Sequence, residues 1–186
     1  MSKLLPITTY GMDILRREAG KIENVDTDLI LTVENMMRTM HNADGIGLAA
    51  PQINKNISLT VIDISGVEGH EDFKPLTLIN PEIIETHGEV VMEEGCLSIP
   101  DIRADVSRPE EIHFKYMDLN MEEHTMEAGE LLARVVQHEI DHLHGKLFID
   151  YLDADEMKKF KKKLKNIKNK KVDPPYPLYI FAETLT

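Results

Sequence analysis

The sequence predicts an α+β fold with mostly antiparallel strands. Strand-like and helix-like segments occur along the chain without regular βαβ alternation, which favours antiparallel over parallel pairing. The chain has 186 residues, of which 42% are hydrophobic and 29% charged, so it is long and apolar enough for one globular domain. No apolar run approaches the roughly 18 residues needed to span a membrane, and we expect no secretory signal at the start. The single cysteine excludes an internal disulfide and indicates a reducing, cytoplasmic compartment.

The first predicted helix covers about residues 26–41. Apolar side chains recur there at the spacing of one helical face, and Asp26 with Thr27 supplies N-cap groups. These apolar positions are Leu29, Ile30, Val33, Met36, Met37 and Met40. We therefore expect an amphipathic helix that buries this face.

Short β-branched or alternating segments predict the strands. One strand is expected over residues 57–64 and another over 76–79, where Asn80-Pro81 should stop it because proline has no N–H to donate. Residues 111–120 alternate apolar and polar side chains, and a turn after them should fold the chain back onto 124–128. The second half of the sheet is therefore predicted to contain an antiparallel hairpin.

A helix predicted over residues 130–144 carries the sharpest chemical signal, the pentapeptide HEIDH at 138–142. Four residues make about one helical turn, so His138 and His142 project from one face and can bind one metal ion. The alternative is a pair of histidines at the edge of the core that are satisfied by hydrogen bonds. The specificity of the H-E-x-x-H pattern favours the metal site.

A helical wheel divides the side chains of this helix into two groups. Leu131 and Val135 fall on the same flank as His138 and His142, beside the apolar side. Four polar side chains fall on the other side and are expected to face solvent: Arg134, Gln137, Asp141 and His144. The histidines should therefore lie next to apolar surface.

The lone cysteine, Cys96, stands in the segment EGCLSIP at 94–100. Catalytic zinc-type sites normally have three protein ligands and an open position for water. Downstream of the histidines, His144 is too close on the same helix and Glu156 is expected to cap another helix. A lone cysteine is more often a small core residue. However, Gly95 permits close backbone approach, which suits a ligand loop.

The segment GIGLAAPQ at 45–52 formally matches the dinucleotide fingerprint G-x-G-x-x-A. We reject a dinucleotide site because that fingerprint follows a strand and opens a helix, whereas here a helix precedes it. Pro51 also interferes with a helix that is just beginning. We expect an extended segment whose main chain is accessible to a ligand, with the Gln52 amide as a donor.

Together, GIGLAAPQ at 45–52, EGCLSIP at 94–100 and QHEIDHLHG at 137–145 resemble the motifs of peptide deformylases. The resemblance covers about residues 5–165. It implies antiparallel sheets wrapped around a central metal-binding helix, with further N-terminal and C-terminal helices. It also implies a hydrolase that removes the N-formyl group from the N-terminal formyl-methionine of nascent polypeptides and releases formate.

The resemblance implies a metal ion held by Cys96, His138 and His142, with water in the fourth position. Glu139 would take a proton from that water and deliver it to the leaving amine. Two imidazoles and a thiolate suit Zn²⁺. Bacterial members of the family typically use Fe²⁺ and accept Ni²⁺ or Co²⁺, so we expect one Fe²⁺ per chain, with Zn²⁺, Ni²⁺ or Co²⁺ as alternatives.

The resemblance also implies that the Gln52 side chain and the Leu97 backbone N–H stabilise the oxyanion. The residues expected to contact the peptide are Ile46, Gly47, Gly95, Arg103, Leu131 and Val135. For Arg103, an ion pair with Glu93 or Glu94 is an equally favoured alternative.

The charge is distributed unevenly along the chain. The net charge is −12, yet residues 157–171 hold nine lysines and no acidic residue. A terminal helix is predicted over about 153–171, where Asp153 and Glu156 can form a capping box. Its narrow apolar stripe consists of Met157, Phe160, Leu164 and Ile167. We expect the lysines to face outward and to contact the RNA-rich ribosome surface, the alternative being an ordinary solvated helix.

We expect one catalytic domain over residues 1–171 and a tail of unknown role over 172–186. The acidic body speaks against sequence-specific DNA as a partner, and no membrane association is expected. A zinc endopeptidase is a weaker interpretation because a suitable downstream ligand is missing. A binding module without turnover is also weaker, since binding alone would not need the Glu139 carboxylate.

Overall fold

The computed structural model describes residues 3–179 and confirms the α+β class with antiparallel sheets. The helices are α1 (Thr27–Asn42), α2 (Glu130–Leu143) and α3 (Ala154–Lys168), with short 3₁₀ helices at Asp13–Arg16, Ala50–Ile53 and Phe148–Tyr151. The strands are β1 (Gly47–Ala49), β2 (Leu59–Ile62), β3 (Leu76–His87), β4 (Val90–Cys96), β5 (Ile99–Arg108), β6 (Glu111–Met117) and β7 (Glu123–Gly129). Within residues 3–179 no helix is long and apolar enough to cross a membrane.

Two antiparallel sheets enclose helix α2. The larger sheet has the order β1-β2-β3-β6-β7, and β4 pairs with β5 in a separate hairpin. Ala133, Val136 and Ile140 of α2 pack in one core cluster with the larger sheet. On the hairpin side, the Arg134 guanidinium donates hydrogen bonds to the backbone oxygens of Val90 and Val106. The expected arrangement of sheets around a central helix is thereby confirmed.

Helix α1 lies within one residue of the predicted bounds. The Asp26 side chain caps it by accepting a hydrogen bond from the Leu29 N–H at 2.8 Å. Four of the six expected apolar positions are buried: Leu29, Val33, Met36 and Met40. The expectation for Ile30 is wrong, because its side chain is 42% exposed while Thr32 is buried instead.

The prediction that a strand stops at Asn80-Pro81 is wrong, because β3 continues to His87. The strand passes the proline through an irregularity in its pairing with β6. Asn80 adopts a left-handed φ of 49° there, and its side-chain amide bonds both backbone groups of Ile22. A proline is tolerated at such a bulge because no ladder donor is needed.

The β6–β7 hairpin is confirmed, whereas β4 and β5 were not predicted. In β6, Ile112 and Phe114 are fully buried on one face, and the chain turns at 118–122 into β7. Strand β4 contains Glu93, Glu94 and Gly95, residue types that are depleted in strands. Pairing between the two strands and burial against α2 outweigh these poor local propensities.

Helix α3 begins where the capping box predicts. The Asp153 side chain accepts hydrogen bonds from the N–H groups of Asp155 and Glu156, and Glu156 bonds back to the Asp153 N–H. The helix ends at Lys168 rather than at residue 171. Leu164 and Ile167 are buried against the hairpin and the 3₁₀ helix Phe148–Tyr151. Residues 180–186 of the expected tail lie outside the described part of the chain.

Candidate metal centre and substrate cleft

Three side chains from two elements meet at one end of the β4–β5 hairpin. Cys96 is the last residue of β4, and His138 and His142 lie one turn apart on α2. One potential ligand atom from each lies within 4.8 Å of the other two, and the Cys96 Sγ is 3.2 Å from the His142 Nε2. One thiol and two imidazoles at these separations fit the donor set of a single tetrahedral divalent ion.

The orientation of His138 is set by Glu94. Its Nδ1 lies 2.8 Å from the Glu94 Oε2, which leaves the Nε2 for the cluster with Cys96. A carboxylate behind a histidine in this way fixes the ring orientation and the tautomer. Burial alone would raise the pKa of Glu94, but hydrogen bonds with His138 and Arg108 outweigh burial and hold it well below its usual range.

Glu94 is itself the centre of a buried ion-pair network. Its carboxylate accepts from Arg108 at 2.6 and 3.1 Å and from Arg134 at 2.7 Å. Arg108 also donates to Asp141 at 2.6 Å, and the Tyr151 hydroxyl donates to the same carboxylate at 2.8 Å. Each charged group of the network has a partner, and these bonds join α2 to both strands of the hairpin.

The predicted solvent-facing side of α2 is therefore wrong in part. Arg134 and Gln137 are each only 4% exposed, and Asp141 is half-buried. Gln137 donates to the Pro109 carbonyl at 3.0 Å. The hairpin covers this side, and its partners lie far away in sequence, so the helical wheel could not show them. Only His144 of the four is exposed, where it pairs with Glu18.

Glu139 is buried beside the histidines without a partner for one oxygen. It is 4% exposed, and among the described residues its Oε2 has no hydrogen-bond partner. Burial raises the pKa of Glu139 to about 7. A carboxyl group with a pKa near neutrality can both accept and donate a proton, as general acid–base chemistry requires.

Gln52 is fixed by bonds at both ends of its amide. The Oε1 accepts from the Ala49 N–H at 2.8 Å. The Nε2 is thereby directed to the Ser98 hydroxyl at 3.2 Å and the Cys96 Sγ at 3.5 Å. Sequence reasoning did not single out Ser98, although it stands in the same motif as Cys96. The amide donor thus lies next to the cluster, as expected.

A cleft of about 860 Å³ opens over this cluster. It is lined by every residue predicted to act in catalysis or to contact the peptide: Ile46, Gly47, Gln52, Gly95, Leu97, Arg103, Leu131, Val135 and Glu139. Cys96 and His138 line it as well, whereas His142 is buried and is not among the lining residues. Arg103 forms an exposed ion pair with Glu93 at 3.5 Å, and the alternative pair with Glu94 is wrong because Glu94 binds Arg108 and Arg134.

Comparison with known proteins identifies the family. Residues 4–158 match the family model of polypeptide deformylases. The chain belongs to this family. Curated relatives include the peptide deformylase of Prosthecochloris aestuarii, 47% identical over 94% of both chains, and that of Chlorobium phaeobacteroides strain BS1, 45% identical over 98% of both.

Solved structures agree with this membership. The peptide deformylase from Legionella pneumophila superimposes with a TM-score of 0.83 at 37% identity, covering 91% of this chain and 98% of that one. A plant peptide deformylase superimposes with a TM-score of 0.85 at 34% identity, covering 92% of each chain. The fold, the metal-dependent hydrolase class and the motif-based resemblance are therefore confirmed.

Proposed function

We propose that the protein removes the N-formyl group from the N-terminal formyl-methionine of nascent polypeptides, releasing formate, at a metal ion held by Cys96, His138 and His142. Membership in the polypeptide deformylase family supports the reaction. The main support for the site is that these three donor side chains and the buried Glu139 carboxyl group lie together at one cleft.

The chemistry follows from the groups in the cleft. A divalent ion bound here would act as a Lewis acid and lower the pKa of water toward neutrality. Glu139 accepts the proton of the attacking water and donates it to the departing amine, a role that fits a buried carboxyl group with one oxygen unpartnered among the described residues. The Gln52 amide and the Leu97 N–H donate hydrogen bonds to the oxygen that gains negative charge.

An extended substrate fits the free edge of β1. Within residues 3–179, β1 pairs only with β2, so the backbone of Gly47 has one side open toward the cleft. A peptide could add there as a further strand, since exposed strand edges bind extended chains. Leu131 and Val135 provide apolar surface for the methionine side chain. Ile46, Gly95 and Arg103 would contact the remaining peptide.

Replacing Gly47 by alanine should lower kcat/KM at least tenfold. A Cβ at this position would lie 2.9 Å from both the Cγ and the Cδ of Glu139, so the carboxyl group would have to move. A displacement of about 1 Å at a reacting group can cost roughly 10²-fold in rate. Steady-state kinetics would check this, with Gly66→Ala as the control because no atom lies within 4 Å of its added Cβ. Equal activity of both variants would contradict the claim that the reaction needs the Glu139 carboxyl group in the position it occupies beside Gly47.

Release of formate from formyl-Met-Ala tests the proposed function. A deformylase yields formate and free Met-Ala. A zinc endopeptidase would leave the formyl group in place and cleave the peptide, and a binding module would release nothing. Formate release that requires a bound metal is the expected result, and intact formyl-Met-Ala in the presence of metal-loaded protein would overturn the proposal.

We also propose that the metal in the cell is Fe²⁺, as is typical of bacterial peptide deformylases. Ferrous iron and the Cys96 thiolate are both open to oxidation, which fits a reducing cytoplasm as the place of action. Protein purified without oxygen should contain iron and lose activity in air, whereas Ni²⁺-substituted protein should keep it. Anaerobic protein with full zinc occupancy and full activity would contradict the choice of iron.

The basic segment 157–171 is our proposed contact with the ribosome. All nine of its lysines are exposed, while Leu164 and Ile167 attach the helix to the body. Clustered lysines bind RNA by releasing counterions, so the interaction should weaken with salt.

Co-sedimentation with ribosomes tests this contact without removing the helix. Replacing Lys159, Lys162 and Lys165 by glutamine should weaken binding and flatten its salt dependence. The matched control replaces three exposed lysines elsewhere, Lys21, Lys74 and Lys146. Binding that is independent of salt, or equally weakened in both triple variants, would rule out the segment as the contact.

A further inference from the structure

The described part of the tail, residues 172–179, returns from α3 to the substrate cleft. This segment lies beyond the region that matches the family model, which ends at residue 158. Pro174, Pro175 and Tyr176 nevertheless line the same cleft as Gln52 and Glu139. The tail is therefore one wall of the site.

Backbone hydrogen bonds fasten the tail to the N-terminal segment. The Ile7 N–H donates to the Pro177 carbonyl, and the Tyr179 N–H donates to the Ile7 carbonyl, both at 2.8 Å. Ile7 and Leu178 form a parallel bridge between these bonds, and Ile7 is fully buried. A pair of such bonds on a buried residue gives the tail one defined position.

The same N-terminal segment contacts the loops that carry the proposed oxyanion donors. The Thr8 N–H donates to the Gln52 carbonyl at 2.7 Å, and the Thr8 hydroxyl donates to the Pro51 carbonyl at 3.0 Å. The Tyr10 N–H donates to the Ser98 carbonyl at 2.8 Å. The N-terminal segment is thus hydrogen-bonded to the tail, to the segment with Gln52 and to the turn with Leu97.

Tyr176 makes the direct contact between the tail and the reaction site. Its hydroxyl donates to the Leu97 carbonyl at 2.8 Å. Leu97 and Ser98 form the two-residue turn between the paired residues Cys96 and Ile99. Gln52 and Tyr10 hold Ser98, and Tyr176 holds Leu97, so the turn is bonded on each of its two residues.

We infer that Tyr176 is a positioning residue for deformylation: its hydrogen bond holds the Leu97–Ser98 peptide group and so limits rotation within the two-residue turn, which keeps the neighbouring Leu97 N–H directed toward the developing oxyanion. This inference rests on the proposed function. It extends the catalytic unit, which we expected to end at residue 171, to include the tail through residue 179. A donor that is fixed before reaction needs no reorientation in the transition state.

Tyr176→Phe removes the hydroxyl and keeps the aromatic ring in the cleft wall. Loss of one oxyanion donor costs roughly 10²–10³ in kcat, so loosening one donor should lower kcat by about tenfold. KM for formyl-Met-Ala should change by less than about twofold, because the contact acts on the transition state. Metal content and Tm should stay at wild-type values.

Tyr116→Phe is the matched control. Among the described residues the Tyr116 hydroxyl contacts only the Met126 sulfur, at 3.5 Å, and it lies on the β6–β7 hairpin.

A second measurement does not depend on turnover. NMR order parameters of the Leu97 and Ser98 amides in zinc-loaded protein should fall in Tyr176→Phe and stay unchanged in Tyr116→Phe.

The combined outcomes separate the two proposals. A lower kcat with unchanged KM and a more mobile turn supports the positioning role. A raised KM with unchanged kcat, or wild-type kinetics, would overturn it. If the wild-type protein releases no formate, the proposed function is refuted. If the order parameters of Tyr176→Phe are unchanged, the positioning role is refuted, whether or not the wild-type protein releases formate.

Discussion

Replacing Glu139 by glutamine is expected to abolish measurable deformylation while the protein keeps one metal ion per chain. General acid–base groups contribute roughly 10²–10⁴-fold to rate, and here the same carboxyl group serves both proton transfers. Glutamine has nearly the same volume, so the buried site is not left with a cavity. Formate release and metal analysis on the same preparation would measure both effects.

Glu93→Gln is the matched control for this change. Glu93 lines the same cleft, but it is exposed and pairs only with Arg103 among the described residues. We expect this variant to keep nearly full activity. If Glu139→Gln instead lost its metal, Glu139 would be a ligand and the proposed division between ligands and proton carrier would be wrong.

Glu94→Gln should cause the largest loss of stability of any single change in the site. The variant leaves Arg108 and Arg134 buried with one fewer negative charge, and breaking one partner of a buried pair costs about 3–5 kcal/mol. The total free energy of unfolding of a native protein is only about 5–15 kcal/mol. Urea unfolding of metal-loaded wild type and variant would measure the difference.

The pH dependence of stability provides a second readout for Glu94. Its pKa in the folded protein lies below its ordinary value of 4.5, so the folded state favours the charged form. The stabilisation is therefore complete above about pH 4.5 and is lost as the pH falls below that value. Glu94→Gln should flatten this acid limb, whereas Glu93→Gln should leave it unchanged. Equal unfolding free energies for Glu94→Gln and wild type would show that the network does not stabilise the fold.

Local sequence patterns predicted those elements whose determining residues are neighbours in the sequence. The caps of α1 and α3, the β6–β7 hairpin and the helix with the two histidines belong to this group. The course of β3 past Pro81 could not be predicted, because it depends on hydrogen bonds between Asn80 and Ile22, 58 residues apart. Patterns within a window contain no information on such partners.

The candidate site shows the same division. Helical spacing alone brings His138 and His142 together. The residues around Cys96 made it only a candidate ligand, and the family resemblance assigned it to the metal site. Ser98 and Tyr176 were missed, since their roles depend on contacts with Gln52 and Leu97 that form only in the folded chain. The burial of Arg134 was missed because its carboxylate partner lies 40 residues away.

X-ray absorption at the metal edge of zinc-loaded protein tests the central claim most directly, namely that Cys96, His138 and His142 hold the catalytic ion. The predicted spectrum contains one sulfur at about 2.3 Å and two imidazole nitrogens at about 2.0–2.1 Å, and the sulfur disappears in Cys96→Ser. A wild-type spectrum without sulfur, or a sulfur signal that persists in Cys96→Ser, would contradict the ligand set.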